Sequence, residues 1–136
     1  MIINEKITID TQDSVELVNI TDMIDDIISE NNIENGLINI QTTHTTSNII
    51  INEDEEGLKY DFINFIKNII PDGNYRHDMI DNNAKSHLMS MIVGCQSQTL
   101  TIVDGKLSLG IWQSIFFLEV DGPRCNRCIN VTIITQ

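Results

Sequence analysis

The chain contains few basic residues. Its 8 Lys and Arg stand against 20 Asp and Glu, which gives a formal net charge of −12 at pH 7 over 136 residues. Nucleic-acid backbones and anionic membrane surfaces attract proteins through an excess of Lys and Arg that displaces counterions. We therefore expect neither as a partner. If the ligand is itself an anion, a bound metal ion is the simplest way to reverse the local field.

Cysteines and long apolar runs are also scarce. Three cysteines are an odd number in a chain long enough to bury a core without disulfides, which fits a reducing compartment. No apolar run reaches the roughly 18–20 residues of a membrane span, and the N-terminal MIINEKITID lacks a basic region followed by an apolar core. The sequence therefore predicts a cytoplasmic protein with no membrane partner.

Hydrophobic periodicity predicts an α+β domain that is rich in strands and covers residues 1–136. Two-residue alternation or β-branched runs predict strands near residues 3–9, 15–18, 37–43, 49–51, 100–103, 106–109, 111–120 and 129–134. The first two of these look like a pair. Helical spacing predicts three helices. The first is capped by Asn19 or Thr21 and ends near Asn31, the second starts within 52–57 and stops at Pro71, and a short third one ends the stretch 74–94.

Three local patterns give sharper expectations. Asp104-Gly105 favours a type I′ hairpin, because both central residues take positive φ. The run 111–120 is too apolar for a strand with one face in water, so it should be central in a sheet. Leu88, Met91 and Ile92 recur at helical spacing, which predicts a buried stripe on a helix that Asn82 or Asn83 caps.

The three histidines allow three chemical interpretations. Neutral imidazole is the commonest transition-metal ligand, so His44, His77 and His87 could hold a catalytic metal with one open position. Alternatively, His77 or His87 is a general acid or base whose ring Asp78 or Asp81 orients. In the third interpretation each histidine is a hydrogen-bonded structural or surface residue. The sequence spacing matches neither HExxH nor a zinc finger and leaves all three interpretations open.

Several other polar residues could contact a ligand. Thr45 and Thr46 could hold phosphate oxygens, although threonine is also simply a good strand residue. Arg124 offers the donor fork that suits phosphate or carboxylate, and Gln113 could fix a polar ligand. Glu119 lies inside an apolar run, where a charge is costly unless it is paired, hydrogen-bonded or metal-bound.

Together the motifs resemble the YjbQ family, which is also called the secondary thiamine-phosphate synthase family. They come in the family's order from Gly36 onward, and as a set they are specific. They comprise His44-Thr45-Thr46, Ile51-Asn52-Glu53, Asp61, Pro71, Tyr75, His77, Asp81-Asn82-Asn83-Ala84-x-Ser86-His87, Gly94, Gly105-x-Leu107-x-Leu109-Gly110-x-Trp112-Gln113 and Glu119-x-Asp121-Gly122-Pro123-Arg124.

The resemblance implies a fold, an assembly and an activity. The fold is a mixed sheet in a sandwich or pseudo-barrel with about three helices against it, usually as a homotrimer. A pocket gathers His44, His77 and His87, and holds a divalent metal, zinc or magnesium, in some members.

The expected function is a metal-dependent enzyme acting on a small phosphorylated metabolite. The named example joins a hydroxymethylpyrimidine diphosphate to a thiazole phosphate with loss of pyrophosphate. The alternative is a non-catalytic module that binds a metal or an anionic metabolite. Catalytic roles fall to His87, Asp81, Asn83 and Glu119, and ligand or phosphate binding falls to Thr45, Thr46, Gln113 and Arg124.

Overall fold

The computed structural model describes residues 1–136. Eight strands, three α-helices and a short 3₁₀ helix at Arg76–Met79 follow one another along the chain. In chain order these are β1 (Ile2–Ile9), β2 (Glu16–Asn19), α1 (Thr21–Glu30), β3 (Gly36–Thr42), β4 (Ser47–Asn52), α2 (Glu56–Ile69), α3 (Ala84–Val93), β5 (Ser97–Val103), β6 (Lys106–Leu107), β7 (Ser114–Glu119) and β8 (Arg127–Thr135).

The strands form two antiparallel sheets. A five-stranded sheet has the order β1-β8-β3-β5-β6, and a three-stranded sheet has the order β2-β7-β4. The expected strand-rich α+β class with three helices is confirmed. The sheets are not mixed, because every neighbouring pair is antiparallel. Strands β1 and β2 were expected to pair, but they lie in different sheets.

Two hydrophobic clusters hold the layers together. The larger cluster lies between the five-stranded sheet, α1 and one face of β4 and β7; Ile24, Ile49 and Phe117 are among its buried residues. The smaller cluster joins the other face of β7 to α2 and α3 through residues such as Ile66 and Met89. The three-stranded sheet is therefore covered on both faces.

Strand β7 explains why the run 111–120 is so apolar. It pairs with β2 on one side and β4 on the other, and residues 115–120 are all buried. The central position predicted from the sequence is confirmed, although the strand itself begins only at Ser114. Asp104 and Gly105 both have positive φ, as the predicted hairpin between β5 and β6 requires.

Helix α3 buries a different face from the predicted one. Its buried residues are Ala84, Met89 and Ser90, whereas Met91 is 73% exposed and Ile92 is 57% exposed. Apolar residues occur on both sides of this helix, so periodicity alone could not select the face that packs on the protein. Two large apolar side chains, those of Met91 and Ile92, are consequently left at the surface.

None of the three helices combines the length and the apolar composition needed to cross a lipid bilayer.

Candidate functional site

Two of the three histidines form a pair on the surface of the α3 layer. His77 lies on the 3₁₀ helix and His87 in the first turn of α3. Their ring centroids are 4.6 Å apart and the rings meet edge to face, at 77°. Ten residues separate them in sequence, so the turn before α3 brings them together.

An amide fixes the ring of His77. Its Nε2 lies 2.9 Å from Oδ1 of Asn83, while Nδ2 of the same amide donates to Asp121 Oδ2 at 2.9 Å. Because the amide offers its oxygen to the ring, Nε2 of His77 must carry a proton and donate it. The neutral ring then has Nδ1 free as a base. Asn83 precedes α3, but its side chain makes no capping bond to the helix.

Asp121 anchors this amide. Its carboxylate accepts from Asn83, from Arg124 Nη2 at 2.8 Å and from Ser86 Oγ at 3.3 Å. Burial alone would raise the pKa of Asp121, but the hydrogen bonds from Asn83 and Arg124 outweigh it and lower the pKa. The carboxylate is therefore ionised. The sequence singled out Asp121 only as part of the motif that begins at Glu119, and its position just beyond a buried strand was the available signal.

Asp78 and Asp81 were expected to orient the histidine rings, but neither forms a hydrogen bond to a ring. Asp78 Oδ1 accepts from the Ala84 backbone N–H at 3.0 Å and so satisfies a free donor at the start of α3. Asp81 makes no side-chain hydrogen bond within the protein. The pKa of Arg124 is raised, chiefly by its hydrogen bond to Asp121 and least by the nearby charge of Asp81. The catalytic role of Asp81 stays a prediction.

His44 is held in the neutral form. Its Nε2 accepts from the Cys128 backbone N–H at 2.9 Å, so a neutral ring carries its proton on Nδ1. Burial lowers the pKa of His44, and the charge of Arg127 lowers it further. His44 and His77 thus have opposite tautomers.

Two open hollows meet at His87. The apolar hollow, about 390 Å³, is lined by Tyr75, Ala84, Leu88 and Met91 together with Arg76, His77 and His87. The hydroxyl hollow, about 370 Å³, is lined by Thr42, Thr43, Thr45 and Ser90 together with His44, His87 and Gln96. Met91 also lines both hollows. The two hollows therefore lie side by side, and together they are called the groove; its lining includes all three histidines and also Met91, which the sequence assigned to the core.

Of the other predicted ligand residues, only Thr45 lines one of the two hollows. Thr45 lines the hydroxyl hollow, but Thr46 is buried and its Oγ1 accepts from Arg127 at 3.0 Å. Gln113 lies at the opposite end of β7 from Glu119, and its Oε1 accepts from the Gly110 backbone N–H at 2.7 Å. Arg124 lies beside the groove but is paired with Asp121.

Glu119 belongs to a buried ion pair. Its side chain is 0% exposed and bonds to Arg127, whose side chain is 7% exposed. Thr11 Oγ1 donates to Oε1 at 2.7 Å, and the Asp121 backbone N–H donates to Oε2 at 3.1 Å. Burial alone would raise the pKa of Glu119, but these donors lower it. Both oxygens are thus occupied, and the pair fixes the backbone that carries Asp121.

Comparisons with known proteins agree on one family. The family model described as UPF0047 protein YjbQ-like matches residues 5–136. The chain is 42% identical to a UPF0047 protein of Methanothermobacter thermautotrophicus, over 95% of this chain and 90% of that one. It is 45% identical to a UPF0047 protein of Methanocaldococcus jannaschii, over 88% of this chain and 86% of that one.

Solved structures show the same fold. A YbjQ-like protein of unknown function from Sulfolobus solfataricus superposes with a TM-score of 0.93 at 36% identity, covering 100% of this chain and 99% of that one. A hypothetical protein from Aeropyrum pernix gives a TM-score of 0.91 at 34% identity, covering 98% of each chain.

Two findings show that the expected function is wrong. No group of three or more His, Cys, Asp or Glu side chains in the chain could hold a metal ion, so neither the metal-dependent enzyme nor the metal-binding module has its centre. In addition, Nε2 of His44 is occupied by the Cys128 N–H, which removes one of the two possible donor atoms of this ring.

The relatives, moreover, bear only a family name, and none is named as a thiamine-phosphate synthase. Sequence, fold and relatives together establish that the chain belongs to the YjbQ-like UPF0047 family.

Proposed function

We propose that the groove between the two hollows is a proton-transfer site for a small molecule. The observation that carries the proposal is the oriented pair of imidazoles: Asn83 fixes His77, and His77 packs edge to face against His87. Histidine changes its charge between about pH 5 and pH 8, so it can both accept and release protons near neutrality. A positioned imidazole speeds proton transfer by about 10²–10⁴-fold.

His87 is the residue assigned to the reacting molecule. Nε2 of His44 and Nε2 of His77 have partners within the protein, whereas neither ring nitrogen of His87 has one. His87 also borders both hollows, so a molecule lying across the groove reaches it from either side. It would take a proton from an attacking water or hydroxyl and return it to the leaving group, with His77 Nδ1 as the second acceptor.

Hydrolysis of p-nitrophenyl acetate in the presence of EDTA tests the proposal. We expect the protein to exceed the rate of free imidazole at the same concentration. Asn83→Ala should lower kcat/KM about tenfold, because the His77 ring loses its fixed orientation. Asn82→Ala, the neighbouring exposed amide, should leave the rate unchanged.

Three outcomes would overturn it: a rate no higher than that of free imidazole, an Asn83→Ala rate equal to that of Asn82→Ala, or a rate that depends on metal. The zinc or magnesium ion expected from the sequence stays a prediction, and adding either ion to the chelated protein tests it. The proposal needs no metal, so the rate should not change.

The homotrimer expected from the resemblance is also a proposal. The outward side of the five-stranded sheet carries none of the chain's 20 acids, so copies could meet there without charge repulsion. By strand register, its outward positions are Ile2, Asn4, Lys6, Thr8, Leu37, Asn39, Gln41, Ser97, Thr99, Thr101, Val103, Lys106, Cys128, Asn130, Thr132 and Ile134.

A location in the cytoplasm is proposed because none of the three cysteines forms a disulfide. Cys95, Cys125 and Cys128 are all free, and Cys125 is exposed. Free exposed thiols persist in a reducing compartment.

A further inference from the structure

The two hollows that meet at His87 differ in chemistry. In the apolar hollow the ring of Tyr75 and the side chains of Ala84, Leu88 and Met91 offer a surface for a carbon skeleton. Methionine is unbranched and adapts its shape to what it contacts. The apolar hollow therefore suits a ring or a branched alkyl group.

The hydroxyl hollow offers hydrogen bonds but no ion pair. None of its lining residues carries a carboxylate, an ammonium or a guanidinium group. The nearby cations Arg124 and Arg127 are paired with Asp121 and Glu119. An ionised ligand group would lose hydration here without gaining a counter-ion, whereas a neutral amide, ester or hydroxyl finds donors and acceptors in Thr42, Thr43, Thr45 and Ser90.

The net charge of the whole chain also disfavours an anionic ligand. A formal net charge of −12 repels anions from the groove at long range. Arg76 lines the apolar hollow, but it is exposed, and an exposed cation attracts an anion only weakly. The hydroxyl hollow itself has no cation that offsets the repulsion.

We infer that the groove binds an uncharged amphipathic small molecule, with its carbon skeleton in the apolar hollow and its amide, ester or hydroxyl group in the hydroxyl hollow beside His87. The inference rests on the proposed proton-transfer function and names its substrate class. The ligand spans the groove, so its polar group lies at the ring nitrogens of His87.

Chemical-shift perturbation in ¹H–¹⁵N NMR spectra tests the inference with four probes. Benzamide has both halves of the expected ligand, and benzoate is its charged counterpart. Acetamide has the polar half only, and inorganic phosphate is a charged group without a skeleton. We expect benzamide to shift the backbone signals of Thr45, His87 and Met91, and to bind about tenfold or more tightly than any of the other three.

Two variants locate the ligand. Thr45→Val removes a hydroxyl at nearly constant shape, and Met91→Gln makes the apolar hollow polar; each should weaken benzamide binding several-fold. Met79→Gln is the matched control, because Met79 is 90% exposed and lines neither hollow. It should leave the binding unchanged.

Tighter binding of benzoate or phosphate at these residues would overturn the inference, as would benzamide binding that neither Thr45→Val nor Met91→Gln weakens. Ester hydrolysis without benzamide binding would also overturn it while the proposed function stands. Benzamide binding by a protein that does not hydrolyse p-nitrophenyl acetate would support the ligand class and overturn the proposed function.

Discussion

Arg127→Met is expected to lower the free energy of unfolding by about 3 kcal/mol or more. The substitution leaves the carboxylate of Glu119 buried without its counter-ion, since the side chain of Glu119 is 0% exposed. Thr46 loses a bond as well, because Arg127 Nη2 donates to its Oγ1 at 3.0 Å. Equilibrium unfolding in urea at neutral pH measures the change.

Two further variants separate the buried charge from the loss of an arginine as such. Arg124→Met breaks an ion pair whose arginine is 50% exposed, so it should cost at most about 1 kcal/mol. Adding Glu119→Met to Arg127→Met removes the unpaired charge and should restore part of the stability. Equal losses in Arg127→Met and Arg124→Met would contradict the structural role assigned to the buried pair.

His87→Ala is expected to reduce p-nitrophenyl acetate hydrolysis about 100-fold or more, to the level of the reaction without a positioned imidazole. The loss should fall on kcat, because the hollows that hold the ester keep most of their lining. Steady-state kinetics with EDTA present measures both kcat and KM. His87 is half-buried, so the variant should still fold, and a circular dichroism spectrum checks this.

Added imidazole distinguishes proton transfer from a packing effect. The substitution leaves a space beside His77, and free imidazole that enters it should restore part of the rate of His87→Ala. Ile92→Ala is the control on the same helix, since Ile92 is exposed and lines neither hollow. A His87→Ala protein with the wild-type rate, or one that imidazole does not rescue, would contradict the role of His87.

Much of the fold follows directly from the sequence, because its strands are marked by strong local signals. A long apolar run could only be a strand with neighbours on both sides, and β7 has them. Asp104-Gly105 carries the two positive φ values of its hairpin. The layer arrangement could not be predicted in the same way, because the pairing of β1 with β8 joins residues from the two ends of the chain.

The site was only partly predictable. The structure places the three histidines along one groove and Asn83 against His77, while the catalytic roles expected for His87 and Asn83 stay predictions. The direction of the Asn83 side chain depends on Asp121, which lies 38 positions away, so no local pattern could reveal it. The exposure of Met91 was missed for a related reason: α3 has apolar residues on two faces, and only the folded layers select one of them.

The tautomers of His44 and His77 test the central claim most directly, because they depend on the two hydrogen bonds that define the site. Long-range ¹H–¹⁵N NMR correlations of the imidazole rings, above the pH at which they are charged, report which nitrogen carries the proton. The structure predicts a proton on Nε2 of His77, facing Asn83, and on Nδ1 of His44, since Cys128 donates to its Nε2. A His77 ring with its proton on Nδ1, or one that exchanges freely between the two forms, would contradict a site in which Asn83 fixes the base.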